Sequence, residues 1–415
     1  MLDQCIDNRA AAARLRSGVI GLHLDSFTER LAGLGYAAAT VRSQVTLLGH
    51  FDQWMARRRF RVADLNDEIV EAFIDDRVRR KDVHRGDAAT VHHFLAHLRE
   101  QLVVGSPAVM VDESPLGVLQ RQYEQHLTSE RGLASATVAT YREFFRWFLT
   151  ERFGDGPMPL RDLDASAITT FVVRHAHARS PGRAKLMVTA LRSILRFFLQ
   201  RGAIERDLAA CVPRVADWRL ATLPKYLSPE EIDRLLRACD QRTSIGRRDL
   251  AILRLLAHLG LRAGEVVGLE LDDIHWRAGE ITVRGSKRLP HDRLPLLAEV
   301  GDALATYVHR DRPRHATRRV FLCTKAPRRG FAGPSTVSTI VQRALARAGL
   351  CPAIHGAHLL RHSLATRMLR QGASLSEIGQ VLRHRAVNTT EIYAKVDLAG
   401  LRALAQPWPG TGGAR

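Results

Sequence analysis

The sequence predicts a mainly α-helical chain with one small β-hairpin or sheet, set in an α+β domain toward its C-terminal end. Three observations carry that expectation. Amphipathic helical periodicity runs through the first two hundred residues, and within it a pattern recurs at an offset near 97. After Pro224 the texture changes, and residues 280–296 alternate as two strands around a polar turn. At 415 residues the chain also exceeds what one compact core supports, so two or three domains are expected.

Taken in order, Gly35-Tyr36-Ala37-Ala38-Ala39-Thr40-Val41 matches Gly132-Leu133-Ala134-Ser135-Ala136-Thr137-Val138, and each match opens an amphipathic run in which Phe51 falls opposite Phe148. Leu65 with Leu163 and Phe73 with Phe171 extend the correspondence at offset 98. These matches imply two copies of one helical module, roughly 15–105 and 115–205, the alternative being a chance agreement of helical patterns. Gly105-Ser106-Pro107 and Ser114-Pro115 punctuate their boundary, and Pro213 to Pro224 marks the next linker. The expected division is a helical module in 1–110, a second in 115–210, a linker in 211–224, a third domain in 225–405 and a mobile tail in 406–415. The third domain opens sharply at Ser228-Pro229-Glu230-Glu231, a capping box with proline at the first helical position. Helical segments at 229–239 and 247–259 then give way to the hairpin, and helices resume at 297–310 and from 335.

Sixty-two lysines and arginines against 43 acidic residues give a formal charge of +19. A positive field of that size attracts polyanions and supplies affinity by counterion release. With six lysines among the 62 bases, the surplus is arginine, which GC-rich coding also produces. Five scattered cysteines without a C-x-x-C pair fit neither a disulfide framework nor a zinc ribbon, so they are expected as small buried hydrophobes in a reducing cytosol. No apolar stretch reaches the roughly eighteen residues of a membrane span, and the start lacks a signal-peptide core. A cytoplasmic protein with no membrane partner is expected.

Within the third domain, Arg262, Lys287, His358, Arg361, His384 and Tyr393 form an ordered set. Singly, each is ordinary. Together they match the needs of phosphodiester cleavage through a covalent intermediate. Two guanidiniums, Arg262 and Arg361, can fork onto the non-bridging oxygens of a pentacoordinate transition state. Tyr393 can attack as a phenol, in a segment whose Asn388-Thr389-Thr390-Glu391 resembles a helix start. Lys287, on the hairpin, can protonate the departing oxygen. His358 and Arg361, three apart on a helix, project from one face, and His384 adds a hydrogen bond. His258, His355 and His362 are expected as packing or surface residues.

This order resembles the tyrosine recombinase, or phage integrase, family over roughly 225–396. Leu259-Gly260-Leu261-Arg262-Ala263-Gly264-Glu265-Val266 is similar to the family's first arginine box, His358-Leu359-Leu360-Arg361-His362-Ser363-Leu364-Ala365-Thr366 to its second box, and Leu382-Arg383-His384 through Tyr393 to its last. Arg383 replaces the usual glycine, and the hairpin from Gly285 to Leu296 is one residue longer than the family pattern, which makes Arg288 a fallback phosphate contact beside Lys287. Glu265 reads as an orienting residue.

The resemblance implies a site-specific recombinase that cuts and rejoins double-stranded DNA through a 3′-phosphotyrosyl link and a Holliday junction. It needs no metal, nucleotide or other cofactor, because the link conserves the bond energy. The implied architecture is a C-shaped clamp in which a SAM-like core-binding module, 115–210, precedes the catalytic domain and presents Arg183, Lys185 and Arg192 toward DNA. A homotetramer on inverted half-sites, a helix after Tyr393 that packs on a neighbouring protomer, companion recombinases and a mobile-element role in the bacterial nucleoid complete the expectation. The first module would serve DNA binding or assembly. A type IB topoisomerase-like nicking-resealing enzyme and a catalytically silent architectural DNA-binding partner are the alternatives.

Overall fold

The computed structural model describes residues 9–106, 112–154, 156–215, 223–284, 292–384, 386, 389–396 and 402. The chain divides into two compact units, one formed by residues 1–107 with 222–415 and the other by residues 108–221.

In the first unit, helices α1 (Arg9–Arg16), α2 (Gly21–Gly33), α3 (Ala38–Arg57), α4 (Asp67–Arg79) and α5 (Asp87–Glu100) close around Phe27, Leu31, Val45, Phe51, Phe73 and Phe94. The second unit holds α6 (Pro115–Gln125), α7 (Ser135–Phe153), α8 (Ala165–Ala176) and α9 (Pro181–Gln200) around a still more aromatic core. Their helices begin where local chemistry dictates. Asn66 caps α4 by accepting from the Ile69 N–H at 2.9 Å, and Asp164 caps α8 by accepting from the Ala167 N–H at 2.7 Å. Ser114 and Ser180 each precede a proline at the first helical position. The repeat seen in the sequence is thus a repeat of structure: α2–α5 and α6–α9 follow the same order, with a 3-10 turn at Val62–Asp64 in one and Leu160–Asp162 in the other.

The rest of the first unit has its own core, from Leu227 to Leu360. Helix α10 (Pro229–Arg237) starts on the expected capping box, with the Ser228 hydroxyl accepting from the Glu231 N–H at 3.3 Å and the Glu231 carboxylate accepting from the Ser228 N–H at 2.8 Å. Helices α11 (Ser244–His258) and α12 (Ala263–Gly268) follow. A three-stranded antiparallel sheet comes next, β1 (Ile274–His275), β2 (Glu280–Val283) and β3 (Asp292–Pro295), with Ile281 opposite both Ile274 and Leu294. The hairpin was expected and β1 was not, because two residues carry no periodicity. In β2, Ile281 and Val283 are buried while Glu280 and Thr282 are half-buried, the alternation a one-sided sheet requires. Helices α13 (Ala298–Arg310), α14 (Pro334–Arg347), α15 (Ala357–Arg370) and α16 (Leu375–Val381) complete the domain. A satellite cluster of Leu364, Ala365, Ile378, Leu382 and Tyr393 lies apart from the main core.

Several expectations need correction. Cys239 is buried, but Cys211 and Cys351 are exposed, so the cysteines are not uniformly small core residues. The second module's core includes Val212, and Arg192 donates to the Val212 carbonyl at 2.8 Å, so packing continues beyond 210 and Arg192 serves the module's own backbone. Arg183 is paired with Glu143 and lies over the Phe144 ring. Lys287 and Arg288, the helix expected after Tyr393 apart from Arg402, and the tail 406–415 lie outside the described residues. Among the described residues no helix is long and apolar enough to cross a membrane.

Candidate active site

Three segments far apart in sequence converge beside the satellite cluster. The first turns at Gly260, whose φ of +60° is in the left-handed region and where a Cβ would sit 2.7 Å from Leu382 and 2.9 Å from Leu364. Glycine is required there by conformation and by space. That turn delivers Arg262 to the start of α12. Its backbone N–H donates to Glu265 Oε2 and its Nη1 to Glu265 Oε1, both at 2.8 Å, while Nη2 donates to the Arg383 carbonyl at 3.1 Å.

The second segment is α15, where His358, Arg361 and His362 occupy positions i, i+3 and i+4 and so share a face. Arg361 is 4% exposed, and its guanidinium donates to the carbonyls of Gly260 and Leu382. Arg361 thereby ties the first segment to the third. Burial, reinforced by Arg262 and Arg383, pulls its pKa down to about 10, so it remains cationic at neutral pH.

The third segment leaves α16, itself started by a Ser374/Glu377 capping box, and places Arg383, His384 and Tyr393. Arg383 stands at φ +55°, in the left-handed region that glycine enters without strain. Its left-handed backbone is held by an ion pair from Nη2 to Glu265 Oε2 at 2.7 Å, with the side chain 7% exposed. Glu265 accepts from both Arg262 and Arg383, the orienting part expected of it. Burial pushes its carboxyl up, but Arg383 and Arg262 together hold it below the ordinary glutamate value. His384 donates its backbone N–H to the Gly379 carbonyl, and its Nδ1 lies 2.8 Å from the buried Thr390 hydroxyl.

Tyr393 stands in a 3-10 turn, Glu391–Val396, rather than in a full helix, and is 1% exposed. Its hydroxyl lies 2.8 Å from Nδ1 of His362. With the His362 proton on Nε2, the phenol donates to Nδ1. Burial pushes its pKa up to about 12, against the pull of Arg361. The same surroundings drive protons off the imidazoles: burial first, then Arg361 and Arg262, lowers His358 and takes His384 down to about 4. Burial, His358 and Arg361 lower His362 as well. The pocket is therefore lined by neutral imidazoles and a protonated phenol around three guanidiniums and one carboxylate, an arrangement built for an anion.

Of the six residues singled out in the sequence, Arg262, His358, Arg361, His384 and Tyr393 come together, and Lys287 lies outside the described residues. His362, expected from the sequence as a packing or surface residue, joins them through its 2.8 Å contact with the Tyr393 hydroxyl. The signal was present, since it sits four residues after His358 and beside Arg361 on the same helical face, but nothing local announces its bond to Tyr393.

Residues 225–399 match the model of the phage integrase family. The "Putative integrase/recombinase y4rA" of Sinorhizobium fredii is 46% identical over 402 residues, covering 96% of this chain and 97% of that protein. Tyrosine recombinase XerD of Lacticaseibacillus casei is 32% identical over 281 residues, covering 65% of this chain and 90% of that one. Among solved structures, the XerH site-specific recombinase bound to palindromic difH substrate in a post-cleavage complex superposes with a TM-score of 0.56 at 19% identity, over 75% of this chain and 93% of that one. Such a likeness marks the fold. The chain belongs to the phage integrase family of tyrosine recombinases, and it is a site-specific DNA recombinase.

Proposed function

We propose that Tyr393 is the nucleophile of this recombinase, joining a 3′ phosphate to its phenolic oxygen and releasing a 5′ hydroxyl. Arg262 and Arg361 hold the non-bridging oxygens and stabilise the charge that builds on phosphorus. Arg361 has donors to spare beyond its two carbonyl partners. His358 and His384 add neutral N–H donors; with the Thr390 hydroxyl on Nδ1, the Nε2–H of His384 is left for the phosphate. Lys287 supplies the proton to the departing 5′ oxygen. The observation that supports this reading is Arg361 bonded at once to Gly260 and Leu382, which gathers the segments of Arg262, His384 and Tyr393 around one pocket.

Strand exchange passes through a Holliday junction in a homotetramer assembled on inverted half-sites in the bacterial cytoplasm, at the nucleoid, in the service of a mobile element and alongside companion recombinases. Residues 115–210 bind the core site. Residues 1–110 act in DNA binding or assembly, held to the catalytic domain of the same chain by the Arg328 N–H donating to the Leu34 carbonyl at 2.8 Å.

The test is a duplex nicked so that cleavage loses a short fragment and traps the adduct. The full chain is expected to form a covalent complex that Tyr393→Phe abolishes without loss of DNA binding. Arg361→Ala is expected to slow its formation about a hundredfold or more. Tight binding by the unaltered chain without any adduct would overturn the assignment.

A further inference from the structure

The phenol of a nucleophilic tyrosine must lose a proton as it attacks, and that proton needs an acceptor in contact with the oxygen. Three imidazoles lie near Tyr393. His358 is partly open to solvent, and its ring lies 6.4 Å from that of His362. His384 faces Tyr393 with its ring 6.5 Å away and nearly parallel, and its Nδ1 is engaged with Thr390. The ring of His362 instead meets the tyrosine at 60°, with centroids 5.7 Å apart and Nδ1 2.8 Å from the hydroxyl. From this geometry we infer that His362 is a further catalytic residue: it orients the Tyr393 hydroxyl and takes its proton during cleavage. The inference rests on Tyr393 being the nucleophile.

The step balances. The Tyr393 oxygen forms a bond to phosphorus while the bond from phosphorus to the 5′ oxygen breaks. The phenolic proton passes to Nδ1 of His362, and the departing oxygen is protonated from the opposite side of the phosphate. In the reverse, rejoining step, the imidazolium returns its proton to the phenol as the 5′ hydroxyl attacks. Both directions use the same pair, as microscopic reversibility demands. The placement also separates acid from base. The acceptor sits on α15 beneath the nucleophile, whereas the expected donor belongs to the hairpin between β2 and β3. Neutrality of His362 at rest fits a base waiting for a proton, since burial and the neighbouring His358 and Arg361 keep it unprotonated.

The experiment is single-turnover cleavage of the nicked duplex by the full chain, with His362→Asn as the variant. Asparagine keeps a hydrogen-bonding oxygen near the place of Nδ1 but cannot serve as a base. Adduct formation is expected to slow by about a hundredfold or more, with DNA affinity unchanged. Ring-fluorinated tyrosine at 393, a more acidic phenol, is expected to restore at least tenfold of that loss, about one pKa-scaled decade, and to change the unaltered chain by less than about threefold. A 5′-bridging sulfur, which leaves without a proton, is expected to restore nothing. Should His362→Asn fail to fold, His362→Gln is read in the same way. Cleavage by the variant at the unaltered rate would overturn the inference, as would rescue by the sulfur leaving group or a slow variant indifferent to fluorination. Absence of adduct in the unaltered chain would instead overturn the assignment of Tyr393.

Discussion

Module one turns at Gly35 with φ +79°, and module two at Gly132 with φ +58°. Two residues later, Ala37 and Ala134 share φ −66° and ψ 146° as they lead into α3 and α7. In the cores, Phe51 meets Phe73 at 4.8 Å and Phe148 meets Phe171 at 5.1 Å. Phe27 against His97 at 5.5 Å is answered by Tyr123 against Phe197 at 5.2 Å. The contrast lies in what surrounds this shared frame. Module one buries an ion pair, Arg77 to Asp87 at 3.1 Å; at the offset of 100 that sets Phe197 of α9 opposite His97 of α5, module two has the apolar Met187 in place of Asp87. A Cβ at Gly35 would lie 2.4 Å from the Arg328 side chain, whereas one at Gly132 would meet nothing within 4 Å. The first copy is therefore fitted against the catalytic domain at this corner, whereas the matching corner of the second leaves room for a Cβ.

Urea titrations followed at Trp54 or Trp147, in chains keeping one of these two tryptophans, separate the modules. The largest effect tests the likeness. Phe51→Ala and Phe148→Ala are each expected to cost about 3–5 kcal/mol in their own module, since both leave a cavity in an aromatic core. A cost in one module alone would break the equivalence. Asp87→Met, which installs the residue of the second copy, is expected to cost about 3 kcal/mol by leaving Arg77 buried without its inner partner, although Asp82 still faces it at 3.0 Å. A neutral outcome would mean that the ion pair is dispensable. Gly35→Ala and Gly132→Ala are each expected to lose about 1–2 kcal/mol to left-handed strain. Only the first is expected to speed hydrogen exchange at the Arg328 amide, whose acceptor is the Leu34 carbonyl.

The smallest effect is acid sensitivity. A hydrogen bond and ion pair with Arg99 at 2.7 Å hold Asp67 below the usual aspartate value, and the matching residue of module two is Ala165. A depressed folded value means that the stabilisation is present above the unfolded pKa near 3.9 and is lost as pH falls through the folded one. Asp67 is half exposed, so the contribution is about a few tenths of a kcal/mol. The gap between titrations at Trp54 with and without Asp67→Asn is expected to narrow as the pH falls below the unfolded value, and those at Trp147 to show no difference.

Much of this was legible in the order of residues. The duplication could be read because its markers are local: a glycine that reverses the chain, an alanine entry to a helix, and phenylalanines at fixed offsets. The same holds for the Ser228 capping box, the hairpin strands and five residues of the anion pocket, each set by a short motif whose spacing on a helix or turn selects one face. A chain's own periodicity determines such features before any packing occurs.

Tertiary structure alone decided which faces meet. No motif announces that Arg361 donates to Gly260 and Leu382, that Arg383 at a glycine's φ pairs with Glu265, or that His362 receives the Tyr393 hydroxyl. The Leu34 carbonyl meeting the Arg328 N–H is of the same kind. These bonds join segments that fold from independent local signals, and their geometry depends on how side-chain volumes settle between helices. Sequence determined the parts and the chemistry they carry; packing determined which proton donor found which acceptor.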